Sequence, residues 1–212
     1  MIKRFIAIAG NIGVGKSTLT GLLSSQLGWE PFYEAVSDNP YLADFYQDMP
    51  RFAFHSQVFF LSRRLRHHRR LLDFPGSVVQ DRTVYEDAEV FACALYQQGH
   101  ILPRDYQTYR ELYEVLTLFL PPPDLVVYLR ASVPTLQHRI ALRGREFERG
   151  IEPEYLQRLN VLYESWLDGF SICPVLTIPA DDLDFVHNNA HLELIVAKIQ
   201  EKLSGKDEMI LP

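Results

Sequence analysis

Gly10, Gly15, Lys16 and Ser17 stand at the spacing G-x-x-x-x-G-K-S, inside the run Gly10-Asn11-Ile12-Gly13-Val14-Gly15-Lys16-Ser17-Thr18. These residue types at this spacing hold a polyphosphate. Glycines let the chain turn tightly enough for successive backbone N–H groups to face one anion. A helix starting directly afterwards adds the positive end of its dipole. Lys16 has the length to reach outer phosphates, and Ser17 offers a hydroxyl oxygen to Mg²⁺. The loop needs a strand before it and a helix behind it. The apolar run Phe5-Ile6-Ala7-Ile8-Ala9 supplies the first, and the spacing of Leu19, Leu22, Leu23 and Leu27 the second. Alone, such a loop fits kinases, switches and motors alike, so the acceptor has to be read from other residues.

Three further stretches carry chemistry. In Ser77-Val78-Val79-Gln80-Asp81-Arg82 an apolar strand ends in an acid and then an arginine. An acid at the end of a neighbouring strand reaches the Mg²⁺ shell in P-loop proteins, and the same Asp81 can cap the helix that follows. Glu34 closes another short apolar stretch. A carboxylate beyond a strand's carboxyl end faces the ligand crevice and can accept a hydroxyl proton, or it is an ordinary solvated acid. From His138 to Gly150 the chain is dense in arginine. Arg139 and Arg143, four apart, share a helix face. On a lid bracketed by Gly144 and Gly150 such arginines would close over phosphates; without one they are a solvated charged turn. The most basic run, Arg63 to Arg70, is interleaved with Phe59, Phe60, Leu65, Leu71 and Leu72. It reads as a mainly solvated helix face with one or two residues turned inward, rather than a nucleic-acid surface.

The elements that must position these residues follow from periodicity. Candidate strands are 4–9, 29–33, 77–80, 125–129 and 174–178. Their continuous apolar character suits strands buried on both faces of a parallel sheet. Helical patterns cover about 16–27, 51–72, 83–98, 103–119, 133–142, 153–168 and 190–203. Pro103, Pro134 and Pro153 sit near helix starts, where the missing N–H costs nothing. The expectation is an α/β, doubly wound fold with one five-stranded parallel sheet flanked by helices on both faces. The 212 residues form one domain, with a short arginine-rich lid at about 143–150 and a loose tail at 204–212. The chain is 47% apolar and 23% charged with net charge −6, which argues against a general nucleic-acid binder. No apolar run approaches the ~20 residues of a membrane span, and Met1-Ile2-Lys3-Arg4 leads straight into the first strand without a signal peptide. Cys93 and Cys173 read as buried free thiols of a reducing compartment, so a cytoplasmic protein is expected.

In this order and spacing the motifs resemble the deoxynucleoside kinase family, from Phe5 to about Ile178. The carriers are the GNIGVGKST loop, Glu34 in FYEAV, NPYLADFY, QDRTVYED, RGREFERGIEPEYL and YESWLDGF. The NPYL and DRTVYED forms are most similar to the bacterial branch acting on deoxyadenosine, deoxycytidine or deoxyguanosine. The resemblance implies a P-loop kinase fold and transfer of the ATP γ-phosphate to a deoxynucleoside 5′-hydroxyl. It implies Glu34 as general base, and Arg82 as the arginine holding that hydroxyl and the base catalyst. It implies Tyr46 and Glu148 on the sugar 3′-hydroxyl and Gln57 on the nucleobase. Arg64 and Asp87 resemble the ion pair of members that accept purines or cytosine; Arg63 lies one position from the first of them. Arg139, Arg143 and Arg145 match lid arginines near the phosphates, and Ser17 with Asp81 would complete the Mg²⁺ environment. Phe54, Tyr85 and Phe91 either wall the nucleoside pocket or belong to the core. The resemblance further implies a homodimer, to which the helices within 83–119 could contribute a face.

Two other functions of a phosphate loop fit these residues less well. A nucleoside monophosphate kinase needs cations where the acceptor's phosphate sits, and Glu34 occupies that place. A non-catalytic nucleotide switch needs segments that sense the γ-phosphate, and the arginine-rich lid does not resemble them.

Overall fold

Every residue of Phe5–Gly10 is buried, and this strand, β1, is the centre of the molecule. The computed structural model describes residues 3–34 and 38–205. Of the expected loose tail, residues 206–212 lie outside the described residues, as do 35–36 of the FYEAV motif and residue 37 after it. Strands β2 (Glu30–Phe32), β3 (Val78–Asp81), β4 (Leu125–Arg130) and β5 (Val175–Pro179) complete one sheet of order β2-β3-β1-β4-β5. Every pairing in it is parallel. Parallel strands need crossovers, and the helices that make them cover the faces, so the central strands are largely apolar and carry polar residues mainly at their carboxyl ends, as at Gln80, Asp81 and Arg130. The register sets Asp81 opposite Ile8 and Leu129 opposite Gly10. The carboxyl ends of β1, β3 and β4 therefore finish at one level, where the phosphate loop begins.

The helices follow the predicted pattern closely: α1 (Lys16–Leu27), α2 (Leu42–Gln47), α3 (Met49–Asp73), α4 (Val84–Glu86), α5 (Cys93–Gln97), α6 (Pro103–Thr117), α7 (Val133–Arg143), α8 (Pro153–Gly169) and α9 (Asn189–Ser204). Side chains alternate along a strand. Ile6 and Ile8 of β1 join a core with Leu19 and Leu23 of α1, Leu136 of α7 and Leu159 of α8. Phe5 and Ala7, on the opposite face, meet Leu71 of α3.

Two elements differ from expectation. The short α2 falls where no helix was predicted, because six residues are too few to show a period. The helix expected over 83–98 is interrupted: Asp87–Ala92 form one wide π turn between α4 and α5. Such turns re-aim side chains and cluster at functional sites. Here Asp87 and Phe91, both on the wide turn, face one cavity.

Long helix α3 shows how polar residues come inward. Asp48 caps it by accepting from the Arg51 N–H (3.3 Å), and Pro50 sits in its first turn. Its buried face is Ala53, Ser56, Gln57, Leu61, Arg64, His68 and Leu71, at helical spacing. Gln57 and Arg64, seven apart, are thus fixed on the same face as Leu61.

Candidate active site

A cavity of about 660 Å³ opens at the carboxyl ends of the strands. Ile12 to Thr18 form one wall, while Gly10 and Asn11 of the same run are not among its lining residues. Gly10, Gly13 and Gly15 all have positive φ. At Gly13 a Cβ would come within 2.6 Å of Ile140 Cγ1 and 2.9 Å of the Leu136 carbonyl, so only glycine lets the loop press against α7. Lys16 Nζ donates to the Gly10 and Asn11 carbonyls at 2.9 and 3.0 Å. Burial, reinforced by the nearby Arg82 charge, lowers its pKa to about 8. Asn11 ties the loop to α8, donating from Nδ2 to the Leu156 carbonyl (2.9 Å) and to Asn160 Oδ1 (2.8 Å).

Ser17 Oγ donates to Asp81 Oδ2 at 2.5 Å, and the other carboxylate oxygen of Asp81 is buried without a hydrogen-bond partner among the described residues. A hydroxyl beside an unsatisfied carboxylate is a hard-oxygen donor set of the kind Mg²⁺ takes. These two residues fit that ion.

Glu34 follows β2 and is held on two sides. Its Oε1 lies 2.9 Å from Arg82 Nε and 2.9 Å from Arg64 Nη2. Burial alone would raise its pKa, but the Arg82 and Arg64 guanidinium groups outweigh that and hold it at about 2. Arg82 is the one non-glycine residue with positive φ among those described, at 68°. A non-glycine backbone there costs on the order of 1–3 kcal/mol and persists where its surroundings fix it. They do: its Nη1 donates to the Tyr163 hydroxyl (3.0 Å), and the guanidinium carbon lies 4.3 Å from the Phe91 ring centre.

Arg64 stands behind the cavity wall. Its Nε and Nη2 grip the two Asp87 oxygens at 3.0 and 3.2 Å, and its Nη1 donates to the Asp81 and Arg82 carbonyls at 3.1 and 3.3 Å. Arg63, by contrast, is turned over the Phe59 ring at 5.1 Å. Of the basic run, Arg64 and His68 are the residues turned inward. Asp87 and Gln57 both line the cavity. Phe91 lines it too, whereas Phe54 and Tyr85 pack with Leu61 and Tyr109 in a separate core.

The expected lid is a sharp return. Helix α7 ends at Arg143, Gly144 takes the left-handed conformation, and Glu146–Glu148 make a 3₁₀ turn. Glu148 is buried between Arg143 (Nε, 3.0 Å) and Arg145 (Nη1, 3.3 Å). Tyr46, Arg143, Arg145 and Glu148 all face the cavity, and the Tyr46 ring stacks on Phe147 at 5.9 Å. Arg139 also lines it, with its guanidinium bonded to the Val14 carbonyl (2.8 Å) and the Ala180 carbonyl (2.7 Å). It joins the phosphate loop to the end of β5.

Sequence reasoning missed the segment from Asp181 to His187, which lines the cavity beside the loop. The Phe185 ring stands 3.3 Å from where a Gly15 Cβ would be. Asp184 shapes the turn by accepting from the Val186 and His187 N–H groups at 3.1 and 3.0 Å. The signal was present: a segment following the carboxyl end of β5 belongs at the crevice by position alone.

The chain is similar to known proteins in sequence and fold. A family model described as deoxynucleoside kinase matches residues 6–204. The Bacillus subtilis (strain 168) deoxyadenosine/deoxycytidine kinase is 39% identical, over 92% of this chain and 90% of that protein. The deoxyguanosine kinase of the same organism is 36% identical, over 93% of this chain and 96% of its own length. The solved structure of deoxyadenosine kinase from M. mycoides with bound dATP superposes with a TM-score of 0.83 at 33% identity, covering 93% of this chain and 99% of that one.

Proposed function

The chain belongs to the deoxynucleoside kinase family, and from that premise we propose that it transfers the γ-phosphate of ATP to the 5′-hydroxyl of a deoxynucleoside. Deoxyadenosine is the first substrate in this reading, with deoxycytidine and/or deoxyguanosine as others. The observation that carries it is Glu34, ion-paired to Arg82 at a cavity wall between the phosphate loop and Gln57. A sugar hydroxyl suits that place, and a second phosphate would be repelled from it.

The roles in this reading are those the family resemblance implies, and the cavity lining supports them. The backbone of Gly10 to Thr18 and Lys16 hold the ATP phosphates. Arg143 and Arg145 add positive charge from the lid, and Arg139 steadies the loop while its guanidinium borders the phosphates. Tyr46 and Glu148 take the sugar 3′-hydroxyl. Gln57 offers a donor and an acceptor to the base. Arg64 and Asp87 together fill the space that a thymine methyl would need. Glu34 accepts the 5′-hydroxyl proton, and Arg82 keeps carboxylate and hydroxyl aligned. Phosphoryl transfer is largely loose, so alignment in line with the γ-phosphorus contributes more than deprotonation. Ser17 and Asp81 would hold Mg²⁺, which supplies charge neutralisation at the phosphates when bound.

The same reading makes the enzyme a cytoplasmic homodimer acting in nucleotide salvage, with neither nucleic-acid polymer nor membrane as partner. Among the described residues no helix is long and apolar enough to cross a membrane. An ADP-release assay with ATP and each of the four deoxynucleosides, with deoxyadenosine monophosphate, and with no acceptor tests the reading. Turnover is expected with deoxyadenosine and not with its monophosphate. Glu34→Gln is expected to lower kcat by roughly 100-fold or more while ATP still binds. Near-normal turnover of that variant would remove Glu34 as the base.

A further inference from the structure

Tyr163 lies on α8, fully buried, and lines no part of the cavity. Its hydroxyl nevertheless touches both halves of the site. The oxygen accepts from Arg82 Nη1 at 3.0 Å. Its single proton has two acceptors, each at 2.7 Å: the Gly10 carbonyl and Glu86 Oε1. Glu86 is fully buried as well. Its Oε1 accepts the Gly10 N–H at 3.1 Å and stands 3.5 Å from Arg82 Nη1. Its Oε2 accepts the Thr83 N–H at 2.7 Å, which closes the capping box of α4.

We propose that Tyr163 and Glu86 are positioning residues for phosphoryl transfer, forming a strut that locks the Arg82 guanidinium to the first residue of the phosphate loop. The inference rests on the kinase reading above.

Three sides of the Arg82 guanidinium have partners. The Nε edge faces Glu34, the Nη1 edge faces the strut, and the flat face covers Phe91. With the Nη1 edge free, the group could rotate about its last bonds and turn Nε from Glu34. The strut bonds both the N–H and the C=O of Gly10, so the donor loop and the acceptor arginine share one hydrogen-bond cluster. Gly10 has no slack on its other side, where a Cβ would meet the Leu129 carbonyl at 2.7 Å. A small misplacement of either partner would spoil the in-line geometry at large kinetic cost. Filling space does not require the hydroxyl. The ring already stacks on Tyr128 at 5.5 Å, and a phenylalanine would fill the same volume. A buried hydroxyl costs desolvation unless bonded, so its value lies in what it orients.

The test is Tyr163→Phe, alone and combined with Arg82→Lys, with wild-type turnover of a deoxynucleoside as control. If the wild type does not turn over, the kinase reading fails before the strut is tested. Given turnover, Tyr163→Phe is expected to keep its fold and lower kcat by about tenfold, with KM for the nucleoside within about twofold. In the Arg82→Lys background the same change is expected to alter kcat by less than about twofold, since its target is already gone. A folded Tyr163→Phe with kcat within twofold of wild type overturns the proposal. So does a loss that multiplies fully with that of Arg82→Lys. If Tyr163→Phe does not fold, Glu86→Gln carries the same cycle with the same expectations. Failure of both variants to fold would make the cluster a folding element and overturn the positioning role.

Discussion

Glu34 keeps its charge because Arg82 and Arg64 meet one of its oxygens, and this decides what kind of base it is. A carboxylate held at about pKa 2 takes up little proton in the free enzyme. In the proposed transfer it would accept a hydrogen bond from the 5′-hydroxyl while ionised and take the proton only as the phosphoryl group moves. The folded value lies below the ordinary 4.5, so its contribution to stability is complete above pH 4.5 and is lost as pH falls from there toward 2. The pH profile of kcat/KM for the nucleoside is therefore expected to show no acid limb from Glu34 between pH 8 and pH 5. A limb near pH 6–7 that vanished in a conservative Glu34 variant would show the carboxylate to be far less tightly paired. At this scale much was legible in the sequence. Glu34, Asp81 and the loop residues announce themselves by standing at strand ends. Choosing Arg64 over Arg63 was not open to spacing alone. It needed the helix phase, which buries the one against Asp87 and lays the other over Phe59. Tyr163 gave no signal, because its hydroxyl bonds to residues remote in sequence, and Glu86 showed only the capping-box spacing with Thr83, which does not point to Gly10 or Tyr163.

Elements differ in how firmly they hold the site. The loop, α3 and the wide turn carrying Asp87 are packed into the core, while the expected lid is a few residues that follow the left-handed turn at Gly144. The lid's geometry rests on one carboxylate: Glu148 draws Arg143 and Arg145 together beside Tyr46. Glu148→Ala would free both arginines and, on the proposed reading, remove a sugar contact. A hydrogen bond to a charged group contributes about 1.5–3 kcal/mol. The variant is thus expected to raise KM for the deoxynucleoside by roughly 10- to 100-fold and to lose preference for a 3′-hydroxyl over a 3′-deoxy sugar. Unchanged discrimination between those two sugars would take Glu148 out of the sugar site. The strands and long helices were readable, because period and buried length both signal them. The π turn was not. It keeps helical composition, and only the packing of Asp87 on Arg64 and Phe91 under Arg82 calls for the extra residue.

The whole molecule places its site where an open parallel sheet must, beyond the carboxyl ends of β1 to β5, and alternating strand and helix signals were enough to foresee that. They were silent on what covers the outside. Past the end of α6 the surface is unusually apolar: Leu118 is 81% and Phe119 77% exposed, with Leu112 and Val115 also exposed on the same helix. Leu112 and Val115, three apart, share one side of α6, and Leu118 and Phe119 follow directly past its end. Single exposed apolar residues are ordinary, but a run of large ones marks an association surface. A symmetric pair of such faces, with flanking polar residues, would form a self-complementary interface; a stable one needs to bury about 1,000 Å² or more. Sedimentation equilibrium at micromolar concentration is therefore expected to give twice the mass of the chain. The double substitution Leu118→Glu, Phe119→Glu is expected to return it to the mass of one chain. Because neither residue approaches the cavity, kcat for the separated chain should stay within about threefold of the wild type unless the dimer shapes the site. A wild-type protein that sediments as one chain would refute the dimer. A variant that stays paired would move the interface to another face.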